Sequence, residues 1–79
     1  MSIEFKKKKA FFKEVVGVEE AESLLQWISD NPSGKIDLNS CTHLHSANLQ
    51  VLIACKPFIS AWPQDTSLRV WLENSLINK

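Results

Sequence analysis

"KIDLNSCTHLHSANLQVLIA", residues 35–54, decides the fold. Ile36 and Leu38 point one way and Asp37 and Asn39 the other, the period-2 pattern of a half-buried strand. A polar loop follows. The chain then turns strongly apolar, and "SANLQVLIACKPFISAW", residues 46–62, predicts a helix with Ser46 as its N-cap. Pro57 must kink or end that helix, because proline lacks an N–H and clashes with the preceding turn. A strand that feeds a helix in this way is half of a β-α-β unit.

Upstream, "SIEF" alternates with Ile3 and Phe5 on one side, and "AFFKEVV" is rich in Phe and Val. Both read as strands. Lys6–Lys9 between them suit a hairpin turn, or the guarded edge of one long strand. Gly17 ends this region. "VEEAESLLQWISDNP" has helical spacing, with Val18, Ala21, Leu25 and Ile28 on one face and Leu24 beside them. Glu19 and Glu20 sit in its first turn, where the helix dipole favours negative charge. Asn31-Pro32-Ser33-Gly34 stops it. Downstream, "SLRVWLE" alternates Leu68, Val70 and Leu72 against Arg69, Trp71 and Glu73, and predicts a last strand. The expected order is β-β-α-β-α-β, a small mixed sheet of α/β class with its helices packed on one face, folded as one domain over residues 1–79.

At about 100° per residue, Val51, Leu52, Cys55, Phe58, Ile59 and Trp62 share one arc of the long helix. Ser46, Leu49, Gln50, Ile53 and Pro57 form a second stripe. Two apolar stripes mean either a helix sandwiched by neighbours or an outward surface for a partner.

Seventy-nine residues, 44% hydrophobic and 23% charged, are enough for one small core and leave little room for a deep catalytic cleft. Net charge is zero, which argues against wholesale nucleic-acid binding. The charge is unevenly spread. Residues 1–13 carry five lysines against Glu4, a net +4; residues 14–79 carry four basic and eight acidic side chains, a net −4. Two cysteines are too few for a disulfide framework. No signal peptide or membrane-spanning stretch is visible, and the expected location is cytoplasmic.

On the residues above, the segment resembles the centre of the STAS domain, the family of sulphate transporters and anti-sigma-factor antagonists. There a strand ends in Asp-Leu-Ser, and a polar loop leads through Asp-Ser-Ser-Gly, or a close variant, into Leu and an apolar helix. Here Ile36-Asp37-Leu38-Asn39 matches the strand end, and His45-Ser46-Ala47-Asn48-Leu49 stands at the switch loop. The close match covers about 20 residues. The resemblance implies a bacterial signal-transduction module that binds proteins and is not an enzyme. In the partner-switching members a kinase phosphorylates the first hydroxyl of that loop, which makes Ser46 the phosphoacceptor candidate. His45 replaces the family's acid and Asn48 its small glycine.

Other chemistry is weaker in the sequence. Cys41, His43 and His45 recur at period 2, and on a strand they would share a face with metal-ligand character. The paired spacings of structural zinc sites are absent, however. There is no nucleophile elbow and no phosphate-cradling glycine loop. The expected site is therefore a partner-binding surface of His45, Ser46, Leu49, Gln50 and Ile53, with no catalytic residue, no metal and no cofactor. The expected partner is a protein, an anti-sigma-like kinase or a complex subunit, with a homodimer also open, and neither nucleic acid nor membrane insertion is expected. The alternative is a structural accessory subunit of a transport or lipid-trafficking complex without phosphorylation. A metal-binding domain ranks third.

Overall fold

The computed structural model describes residues 2–76. Strand β1 (Ile3–Phe5) and strand β2 (Lys9–Val16) form an antiparallel hairpin, with Lys6–Lys8 in its turn. A 3₁₀ turn (Val18–Glu20) leads into α1 (Ala21–Asp30). Strand β3 (Lys35–Leu44), helix α2 (Ser46–Cys55), strand β4 (Phe58–Ala61) and helix α3 (Thr66–Leu76) follow. The sheet order is β1-β2-β3-β4, with β2, β3 and β4 parallel. The protein is thus a mixed α/β domain in which β-β-α-β-α-β is followed by a third helix.

One sheet face is covered. Ile3, Ala10, Phe12, Ile36 and Leu38 point into it and meet Leu24 and Ile28 of α1, Leu49 and Leu52 of α2, and Leu68 and Leu72 of α3. α2 packs against α1 on one side and α3 on the other. Its apolar character on two sides is that of a sandwiched helix. The other sheet face carries Glu4, Phe11, Lys13, Asp37 and Asn39, none of them buried. Lys13 and Lys6 both pair with Glu4, at 2.8 Å and 3.0 Å. These ammonium groups, Lys13 first, hold the Glu4 carboxyl at a pKa of about 2.

Three local expectations fail for physical reasons. The last strand is Phe58–Ala61, and residues 68–72 belong to α3. Leu68 and Leu72 fit both a period of two and an i, i+4 spacing. Val70, half exposed, decides for the helix. Asp65 accepts a hydrogen bond from Leu68 N–H at 2.9 Å, which caps α3, and Arg69 pairs with Glu73 one turn on. Trp71, expected on a strand, is therefore an exposed helix residue.

The helix predicted over 46–62 stops at Cys55. Lys56 closes it in the left-handed region (φ 52°), its N–H bonded to Leu52 O. Pro57 disfavours a helical conformation in the residue before it. The segment Phe58–Ala61 then pairs with Lys35, Ile36 and Asp37. Finally, Val18 and Leu25 are exposed and the core face of α1 is Leu24 and Ile28. Residues 18–20 turn at the tighter 3₁₀ pitch, so Val18 is out of phase with the α-helix that follows.

Candidate functional site

The end of β3 carries the site. Two register shifts relative to β2 insert extra residues into β3, so its outer half is buried only at Leu38, Cys41 and Leu44. The strand thereby reaches Leu44, and His45 becomes the helix cap. Its backbone is extended (φ −65°, ψ 144°), and Nδ1 accepts the Ala47 N–H at 3.0 Å. Ser46, expected as the cap, is instead the first residue of α2 and is exposed.

The cap makes a direct prediction. His45→Ala removes the acceptor and costs about 1 kcal/mol. His45→Asp keeps an acceptor, adds charge at the positive helix end, and leaves the domain at least as stable as the wild type. Urea denaturation of the three proteins reads the difference.

Behind Ser46 the chain is tied down. Asn48, with no exposed surface, donates through Nδ2 to Gly17 O at 2.7 Å. His45 N–H donates to Val16 O at 2.9 Å. These two bonds hold the β2 end and the 3₁₀ turn against the start of α2. Val15, which pairs with His43, and Val18 lie on the segment these bonds tie to the start of α2, and each is 56% exposed. Neither valine was expected at the site. The available signal was Val15-Val16-Gly17-Val18, of which only Val16 points inward.

The expected surface is only partly assembled. His45, Ser46 and Gln50 are exposed on the same end of α2. Leu49 is not part of it: it is 5% exposed and belongs to the core. Ile53 is half-buried and lines a different feature, an apolar cleft of about 740 Å³ at the far end of α2, shared with Lys56, Pro57, Phe58, Trp62 and Leu76. The outward stripe is thus shortened by the packing of α1 and α3 on either flank of α2.

The bulges also separate the metal-type residues. Cys41 is buried while His43 is exposed, so the period-2 face does not form. Among the described residues no three His, Cys, Asp or Glu side chains converge. The Cys41 thiol donates to His43 O at 3.4 Å, and burial pushes its pKa up to about 11. The folded state then holds a proton that the unfolded chain releases between about pH 9 and 11. Stability falls as pH rises through that window, by roughly 1 kcal/mol per pH unit, and Cys41→Ala removes this slope. At pH 8 a thiol reagent should label the half-buried Cys55 in the native protein and reach Cys41 only on unfolding.

No helix among the described residues is long and apolar enough to cross a membrane. No protein-family model, curated protein or solved structure matches the chain.

Proposed function

We propose that this domain is a non-enzymatic regulatory interaction module of the STAS kind, which grips a protein partner with the end of the sheet around the α2 N-terminus and is switched by phosphorylation at Ser46. The observation that carries this reading is the exposed Ser46 at the first residue of α2, on a segment hydrogen-bonded to the 15–18 stretch, where Val15 and Val18 are also exposed. Ligands of open α/β sheets bind at the carboxyl ends of the strands, and this is that end of the parallel strands β2 and β3. A phosphate adds about −1.5 to −2 charge. At a helix N-terminus the dipole tolerates it, so the fold survives. The same charge opposes burial of these valines against a partner.

The test is affinity purification of the tagged protein from its native cells, with phosphosite mass spectrometry. Expected are partial phosphate occupancy on Ser46, a co-purifying protein retained by Ser46→Ala, and its loss by more than tenfold with Ser46→Asp or Val18→Glu. All three variants should unfold within about 0.5 kcal/mol of the wild type, because both positions are exposed. Unphosphorylated Ser46 with a partner indifferent to Ser46→Asp would favour the accessory-subunit alternative. A partner also indifferent to Val18→Glu would sink the surface itself.

A further inference from the structure

The opposite end of the domain has a different character, assembled from segments far apart in the chain. Lys6, Lys7 and Lys8 occupy the β1–β2 turn, and Lys9 begins β2. Lys35 begins β3, where its N–H donates to Lys8 O at 2.9 Å, and it stands opposite Lys9 in the sheet. Phe58 begins β4 opposite Lys35, two residues after Lys56. Parallel strands must start at one end of a sheet, so the topology gathers six lysines there.

Only Lys6 has an acidic partner: among the described residues Lys7, Lys8, Lys9, Lys35 and Lys56 make no ion pair. Glu4, the partner of Lys6, is shared with Lys13, and Asp30, at the end of α1, receives a hydrogen bond from Gln26. The Ser46 end, by contrast, carries Glu14 and Glu19. At the β4 edge of the lysine group stands an apolar side chain. Phe58 is 66% exposed, with the Lys35 ammonium 5.8 Å from its ring centre. Beside it opens the apolar cleft lined by Pro57, Ile59 and Trp62.

We propose that this end docks on an anionic lipid surface, with Phe58 entering the headgroup layer at one edge and the lysines meeting lipid phosphates along the rest of it. The charge is complementary, and each lysine held near such a surface contributes roughly fivefold to partitioning. All six cations are lysines. They act as point charges on long stems, suited to a fluid array of headgroups. None is arginine, whose planar fork supports bidentate reading of a fixed phosphate backbone. One exposed ring offers an anchor to the interface but not the run of stacking platforms that a single-stranded nucleic acid uses. Docking in this way leaves Ser46, at the other end of the strands, facing solvent.

The experiment is co-sedimentation of the full chain with phosphatidylcholine vesicles, with and without 30 mol% phosphatidylglycerol, in about 0.1 M salt, where charges beyond roughly 10 Å are screened. Expected is binding to the anionic vesicles at least tenfold above the neutral ones, weakened further by added salt. The double variant Lys7→Glu/Lys8→Glu should lose binding by about a hundredfold or more. Phe58→Ser should weaken it at least threefold. All of these positions are exposed, and a melting curve for each variant checks that the fold is kept. Equal binding to neutral vesicles, no binding to anionic ones, or no effect of the lysine reversal would overturn the proposal. So would tighter binding to a 20-nucleotide single strand than to the anionic vesicles.

Discussion

Leu49→Glu is expected to unfold the domain, while Gln50→Glu, the next residue of the same helix, leaves its melting temperature within about 4 °C of the wild type. Leu49 is 5% exposed and belongs to the core cluster, and Gln50 is exposed. Truncating a buried leucine to alanine already costs about 2–5 kcal/mol. A carboxylate at that site adds a charge that no buried cation among the described residues can meet. A domain of this size has a total stability of only about 4–12 kcal/mol, so the combined loss is comparable with the whole. Circular dichroism melts of the two variants decide the matter. A folded Leu49→Glu protein would mean that Leu49 faces outward and that α2 is not wedged between α1 and α3.

The second large effect is expected at Asn48. Asn48→Gly restores the small residue that the resembled motif carries, yet it should destabilise this protein by about 2–4 kcal/mol. The substitution removes the buried hydrogen bond to Gly17 O, leaves a void, and places glycine inside a helix. The Gly17 carbonyl keeps its bond from Glu20 N–H at 3.1 Å, so the loss is partial. Gln50→Gly is the control, an exposed position in the same helix where only the backbone cost of about 1 kcal/mol applies. Asn48→Asp should be worse than Asn48→Gly, because a buried carboxylate then faces a carbonyl oxygen. Hydrogen exchange at Val18 and Glu19 should accelerate in both Asn48 variants if this side chain is what holds the 3₁₀ turn to α2. Equal stability of Asn48→Gly and Gln50→Gly would show that it is not.

Asn48 and Leu49 also mark where sequence reasoning stopped. Both stand in the stretch most informative about topology, and both have polarity or spacing that fits an outward site. Asn48 is polar but bonds to a carbonyl 31 residues away. Leu49 lies on the stripe away from the expected core arc but is covered by neighbouring elements. A helical wheel reports which residues share a side of one helix. It does not report how many other elements surround that helix.

The alternation of Ile3 and Phe5, the Phe- and Val-rich run after the lysines, and the strand-to-helix change across residues 35–54 determined the mixed α/β class and placed β1, β2, β3 and the start of α2, because each rests on a pattern local to a few residues. Tertiary structure alone decided the rest. The bulges in β3 set which of Cys41, His43 and His45 face together, since a bulge depends on the partner strand. The third helix won over a strand at residues 66–76 because a core could be closed by Leu68 and Leu72 without Val70. The lysine end and the Ser46 end exist as separate surfaces because parallel strands bring distant segments to common ends, a consequence of chain path that no window of neighbouring residues contains.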